Sequence, residues 1–582
     1  MNACIQAEHA TQPKLWLGRI DETFDSRTDE AAGPWCFLNA EDLFPEWCER
    51  DFDTPLDDSE RMTRAARDCQ KLITQLLPEL AAQFDARHGT KYGPNFWRYL
   101  LAPWLVFTIS GVTSRYEQLR QLVRRHADKP FQVQVSIEDP TWRPLDTLDV
   151  WSRFLNARDF DTWLCSRIIE RIAPACWTLN PTVSIAAPPT TTGRHKGSLR
   201  NRVGAFLDGL RCRRVAGMGP ISSIAFSAYL AMLPCKRHLS PMRESNTVSN
   251  GQTFDPVFLE ILHLVIHALV PSTFTDRFQQ LNAAPSRATY RKGKINLVGP
   301  VLFLNEAEQF KLAHAARSGE WIVCTQHGGQ GYQRIPLPLA ETDYRQDAFF
   351  TWGWKRQGDL RGRFVPLPSP MLGSIRNKHR ERDENLVLVG TGGRISSLRL
   401  QTTEFHGRYS IESRFHKQAF IESVTPRIFE RLLYRPYPKT VGVINDAAYF
   451  RANYPNLMII GDELSESQLV RLLLRVRMVV VDHPVTTFTQ CLAGNIPTIG
   501  YWNPDAWPMT EEAAPVFEAL EEAGIVYRTG VAAAAAVNDK WHETQDWWLS
   551  EPVQTARNLF CHRYARTSHF WWWSWASTLK NL

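Results

Sequence analysis

The run from Val479 to Trp502, VVVDHPVTTFTQCLAGNIPTIGYW, sets an Asp-His-Pro and two adjacent threonines between an apolar stretch and a segment of helical character. An imidazole and two hydroxyls are the side chains that hold an anionic oxygen when they stand beside the unpaired N–H groups that open a helix. His483, Pro484, Thr486 and Thr487 are therefore candidate binders of a phosphate. For that, MVVV must be a strand whose carboxyl end delivers His483, and TTFTQCLAGN a helix ending near Gly494-Asn495 with Thr486 or Thr487 at its N-cap. In open parallel sheets ligands sit outside the carboxyl ends of strands, so this is where a pocket wall belongs. The competing structural role is a plain cap, worth ~1 kcal/mol. The segment IPTIGYWNPDAW reads as another strand ending in an aromatic and polar loop, which brings a second strand end to the same crevice.

A second constellation lies in WIVCTQHGGQGYQRIPLPLAETDYRQDAFFTWGW. A strand from Trp321 to Thr325 would place Gln326, His327, Gly328 and Gly329 on the following loop, His327 as a catalytic candidate and Gln326 and Gly328, with Arg98, as cleft residues, and the glycines permit close approach of backbone to a ligand. Glu341 and Asp343 follow, before the strand-like AFFTWGW. A carboxylate there suits two tasks: a general base for a hydroxyl, or a nucleophile or ion-pair partner at a developing cationic centre. Pairing of these acids with Arg334 or Arg345 is the structural alternative. Asp482 or Glu260 would be the acid if neither serves.

Arg98 interrupts an apolar helix between Trp97 and Tyr99 and must meet a carboxylate or an anionic ligand, because an unpaired buried charge is costly. Arg435, in YRPYP, ends a strand and points toward the same crevice. Gly390 to Gly393, in VGTGGR, form either a tight turn or a phosphate cradle with Gly392 facing the ligand; the spacing is not that of a dinucleotide fingerprint.

The elements that must position these groups follow from texture. The 582 residues exceed what one core organises, so two or more domains are expected. With 44% hydrophobic and 22% charged residues and a formal charge of +6, the chain reads as globular and not as a nucleic-acid binder. The eleven cysteines are scattered without metal-like spacing and read as reduced thiols. MNACIQAEHATQPK has no basic-then-apolar order, and LLAPWLVFTISGV falls short of the roughly 20 residues of a span, so the expected location is cytoplasmic. The first 180 residues read as mainly helical, and Asn180 to Arg200 as a long surface loop. From Ile295, and again after the connecting stretch FVPLPSPMLGSIRNKHRERDEN, short apolar strands alternate with helices, the pattern of a parallel sheet covered on both faces. The fold class expected is α/β with two Rossmann-like domains facing a cleft and an α-rich N-terminal portion, an arrangement that resembles the GT-B fold by analogy of architecture. The divisions are 1–375 for the acceptor side, 384–540 for the donor side, and 541–582 for a Trp-rich helical tail. The tail contains HFWWWSW, within a chain of 21 tryptophans, and reads either as a buried closing helix or as an interfacial membrane contact.

In order along the chain, GPNFWRYLLAPWL with SRYEQL, TQHGGQGY with its carboxylates and FFTWGWK, and VVDHPVTTFTQCLAGNIPTIGYW resemble the transferases of bacterial surface-carbohydrate (O-antigen and lipopolysaccharide type) biosynthesis. The resemblance runs from about Gly93 to about Tyr527. The His-Pro followed by hydroxyls also resembles the motif of bacterial sialyl- and Kdo-transferases, which implies that His483 contacts the CMP part of a donor and the hydroxyls its phosphate. A glycosyltransferase moving an ulosonic sugar from a CMP-sugar to a glycan or lipid-linked glycan acceptor is thus the expected activity. One donor phosphate can be held by a helix N-terminus and His483, so no cofactor and no metal are expected. A UDP- or GDP-sugar donor and a non-catalytic scaffold of polysaccharide assembly are the alternatives, with peripheral membrane contact as a further expectation.

Overall fold

The computed structural model describes residues 12–38, 40, 43–137, 143–156, 159–183, 211–213, 215–233, 254–300, 302, 305–356, 362–395, 399–401, 407–438, 443–461 and 465–582. Three parallel sheets organise them. The first is a surprise of the N-terminal portion: β1 (Lys14–Trp16), β2 (Glu30–Ala31), β3 (Gln132–Ile137) and β4 (Thr178–Val183) pair in the order β2-β1-β3-β4. The expected helices are also there, led by α1 (Ser59–His88) and α2 (Pro94–Arg125). Their turn is tied by Asp85, which accepts from Thr90 Oγ1, the N–H groups of Tyr92 and Gly93, and Trp97 Nε1. Burial alone would raise its pKa, but these four donors hold it below the usual range. Beyond Val183 the stretch expected to be a surface loop lies outside the described residues.

The second sheet runs β5 (Cys212–Arg213), β6 (Ile295–Val298), β7 (Trp321–Thr325), β8 (Ala348–Thr351) and β9 (Phe364–Pro366) in simple sequence order. The stretch expected to be a connection therefore begins inside this sheet, at β9. One face is covered by α3 (Pro220–Met232) and a C-terminal helix, which meet Leu297, Val323 and Phe350.

The third sheet carries β10 (Asp383–Val389), β11 (Leu432–Arg435), β12 (Met458–Ile459), β13 (Val476–Val481), β14 (Thr498–Tyr501) and β15 (Val526–Tyr527). Their spatial order is β12-β11-β10-β13-β14-β15, the doubly wound order, in which the winding reverses between β10 and β13. Continuous apolar runs such as Val479-Val480-Val481 suit strands buried on both faces. Leu386, Leu388, Met478 and Val480 join one core with Phe420 of α4 (Arg408–Ser423). Val387, Val389, Val479 and Val481 join the other with Phe488 of α5 (Thr486–Gly494). The second core is shared with the second sheet, and Phe560 and Tyr564 of the helix Glu551–Tyr564 bridge Tyr332 and Phe488. Among the described residues no helix is long and apolar enough to cross a membrane.

Candidate active site

A cavity of about 280 Å³ opens at the reversal point of the third sheet. Its walls come from the carboxyl ends of three adjacent strands: Gly390, Thr391, Gly392 and Arg394 after β10, Arg435 at the end of β11, and His483, Thr486 and Thr487 after β13. These strand ends are brought together by parallel pairing of Val389 with both Arg435 and Val481. Five of the six donor-side residues expected from sequence thus line one cavity. Pro484 is buried behind it, with its carbonyl engaged by the Tyr332 hydroxyl. Gly392 is dictated by packing as well, since a Cβ would lie 2.6 Å from Val443 and 2.7 Å from the Tyr437 ring.

The helix start differs from expectation in a way that favours an anion. The N-cap of α5 is Val485, and no side chain caps it, so neither Thr486 nor Thr487 serves that structural purpose. The first-turn N–H groups and the positive end of the helix dipole are left to a ligand. At the other end Asn495 adopts φ 57°, and its side chain accepts from Trp548 Nε1 and Gln554 Nε2.

Behind the cavity lies a buried ionic network that sequence reasoning reached only at Asp482. Its Oδ1 lies 2.7 Å from His483 Nδ1 and 2.8 Å from the donating Thr391 N–H. A carboxylate only accepts, so Nδ1 carries the proton and Nε2 is left for a ligand. One acid therefore fixes both the imidazole and the glycine turn. Lys417 Nζ is 3.2 Å from Asp482 and 2.9 Å from Asp446, which also receives Arg414 Nε at 2.8 Å. The two cations, foremost Lys417, hold the Asp446 carboxyl below its usual range despite burial. The hint in the sequence is the i,i+3 cation pair Arg414 and Lys417 on the helix face that also carries Tyr409, Phe420 and Ile421.

The Gln-His-Gly-Gly loop of the second sheet packs directly on the start of α5. Gly329 N–H donates to Thr486 Oγ1 at 3.2 Å. A Cβ on Gly328 would lie 2.6 Å from that oxygen, and one on Gly329 would lie 2.7 Å from the Val485 carbonyl carbon. The glycines thus admit another part of the chain, where approach to a ligand was expected. Gln326 is engaged at both ends of its amide: Oε1 accepts from Trp352 N–H and Trp354 Nε1, and Nε2 donates to the Gly328 carbonyl. It is a structural residue here. His327 is half-buried, with Nδ1 enclosed and without a hydrogen-bond partner among the described residues, and burial drives its pKa down to about 4.

Glu341 and Asp343 are each 1% exposed and line no part of the cavity. Glu341 accepts from Gln70 Nε2 of α1 and lies 3.3 Å from Arg345, the structural alternative weighed from sequence. Asp343 accepts from Thr342 Oγ1, and desolvation pushes its carboxyl up to about 6. Their sealing in the interior is the physical obstacle to a meeting with an acceptor hydroxyl. Glu260 pairs with Arg171 at 2.8 Å, and Arg334 pairs with Glu60 at 2.8 Å. Arg98 is half-buried on α2 with polar engagement and is not among the residues lining the cavity. The Asp-x-Asp triplets at 51–53 and 159–161 are engaged by arginines: Arg125 at 3.5 and 3.6 Å for the first, and Arg115, bidentate at 3.0 Å, for Asp161.

No curated protein matches the chain. Solved structures show only distant likeness. A trehalose-6-phosphate synthase, OtsA, shares 10% identity at TM-score 0.32 over 55% of this chain and 80% of its own. A UDP-forming trehalose-phosphate synthase from Burkholderia xenovorans shares 11% at TM-score 0.30, over 56% and 80%. A structure titled trehalose-6-phosphate from E. coli bound with UDP-2-fluoro glucose shares 10% at TM-score 0.30, over 80% and 96%. Likeness of that degree assigns neither donor nor acceptor. The sequence profile described as LIC12162 family transferase matches residues 13–579, nearly the entire length, and the chain belongs to that family of transferases.

Proposed function

We propose that the protein is a glycosyltransferase that binds a nucleotide-activated sugar in the cavity between the Gly390–Gly393 turn and α5. The observation that carries this reading is convergence. An uncapped helix start, His483 held by Asp482, Arg394, Arg435 and a glycine turn all meet at the reversal point of a doubly wound sheet. Such a set is basic and rich in N–H donors, which suits a phosphate. The volume is near the lower end of ligand pockets, which start at roughly 300 Å³, and so suits one phosphate with its pentose. A CMP-activated ulosonic sugar is the donor proposed, used in the cytoplasm to extend a bacterial surface glycan precursor. It carries a single phosphate, matching one helix start and one histidine, and no metal is called for in holding it.

The acceptor hydroxyl is assigned to the His327 side of the Gln326–Gly331 loop, since Gly328 and Gly329 are packed on α5. There His327, a catalytic candidate from sequence together with Glu341 and Asp343, is the proposed base, because it is half-buried where those two are sealed in the interior. Kept neutral by burial, its imidazole can accept a hydrogen bond from a hydroxyl. Calorimetric titration with CMP, UDP and GDP tests the donor. CMP is expected to bind tightest; binding of UDP alone would transfer the proposal to a UDP-sugar, and binding of none would leave a scaffold.

A further inference from the structure

The HFWWWSW segment is only half absorbed by the fold. On α6 (Trp571–Asn581) Trp575 and Leu579 are buried, and Trp571 stacks on Phe226 of α3 at 5.7 Å. Tyr229 of α3 donates its hydroxyl to the Ala576 carbonyl, which binds the two helices together. Both lie on the same face of the β5–β9 sheet, so their outer sides look away from that sheet in the same direction. Those outer sides are apolar. Of the sixteen large apolar side chains exposed among the described residues, six lie on this pair or at its helix start: Ile221 (84%), Ile224, Met232 (76%), Phe570 (68%), Trp572 and Trp573 (66%). Clustering of that kind marks a contact surface.

Charge and side-chain type select the occupant. Neither helix contains Asp or Glu, and no acid occurs anywhere from Pro552 to Leu582, whereas Arg563, Arg566 and Lys580 do. Arg563 and Lys580 are exposed, and Lys294 sits at the end of α3 with Nζ 2.7 Å from the Ala231 carbonyl. Indoles and a phenyl ring flanked by cations and free of acids are the chemistry of the water–lipid boundary of an anionic bilayer. The helices are too short and too mixed to span it, so the face would lie on the surface.

We infer that the outer face of α3 and α6 docks the protein on an anionic membrane surface, with Phe570, Trp572 and Trp573 entering the headgroup boundary. This inference does not depend on the identity of the donor. The test is co-sedimentation of the full chain with vesicles of phosphatidylcholine alone and of phosphatidylcholine mixed with phosphatidylglycerol, alongside its mass in solution. The parent is expected to sediment with the mixed vesicles and release them at high salt. Trp572→Ser with Trp573→Ser is expected to lower partitioning by roughly tenfold or more. Arg563→Gln with Lys580→Gln, which spares every ring and so guards against a folding defect in the first variant, should lower it about fivefold for each charge removed, on the mixed vesicles only. Absence of vesicle binding by the parent overturns the inference. So does a dimer that the tryptophan exchanges dissociate while vesicle binding is unaltered, which would make the face a contact between copies.

Discussion

His483 and Thr486 separate two roles that residue type alone could not. With the cap of α5 falling on Val485, removal of Thr486 Oγ1 sacrifices a contact to Gly329 and a hydroxyl of the cavity wall, and no helix cap. His483→Ala is expected to weaken CMP by roughly 1.5–3 kcal/mol, the worth of a hydrogen bond to a charged group, with little change in melting temperature. A collapse of the melt with unchanged affinity in the folded fraction would make the histidine structural. His327→Gln is expected to lower kcat by roughly 10²-fold at unaltered CMP affinity, read by steady-state kinetics beside calorimetry. Two buried groups on this loop and beyond it also fix the sign of the pH response. Desolvation raises Asp343 from 3.8 to about 6, so the unfolded chain releases this proton first, and its contribution to stability, full below 3.8, is lost as pH rises to about 6. Asp343→Asn stays neutral, so its melting temperature relative to the parent should climb from about pH 4 to about pH 6 and then level. His327, driven from 6.5 to about 4, acts oppositely: its contribution is present above 6.5 and lost as pH falls toward about 4. His327→Gln should flatten that acid limb, and melts across pH of both variants check the two signs together.

The elements bear on the site through what they bury. α4 places Arg414 and Lys417 one turn apart, so that both reach Asp446 and one reaches Asp482. Lys417→Met would leave two carboxylates in the interior with one cation fewer, and a loss of about 3–5 kcal/mol in chemical denaturation is expected. A loss below ~1 kcal/mol would show that solvent reaches the network. The strands β10, β11, β13 and β14 were legible because parallel strands covered on both faces show as unbroken apolar runs. The sheet of β1 to β4 was not, because β1 and β2 span three and two residues and carry no readable period. The N-cap lies one or two residues before the threonines for a related reason: a helix start without a capping side chain leaves no mark in the sequence.

At the scale of the whole molecule, the cavity at the third sheet could be read from sequence and the surroundings of Glu341 and Asp343 could not. Gly392, Arg435, His483, Thr486 and Thr487 sit at or just after the ends of strands, so recognising the strands was enough to converge them. Glu341 and Asp343 follow a loop with two prolines, whose path into the interior beside Gln70 of α1 depends on contacts across hundreds of residues. The packing of Gly328 and Gly329 on α5 likewise becomes visible only when the second and third sheets share a core. The account as a whole rests on one cavity at the reversal point of the third sheet. A crystal structure of the protein soaked with CMP tests that most directly. The account predicts the phosphate at the first-turn N–H groups of α5, beside His483 and within reach of Arg435. A nucleotide bound elsewhere, or this cavity empty while CMP binds in solution, would contradict it.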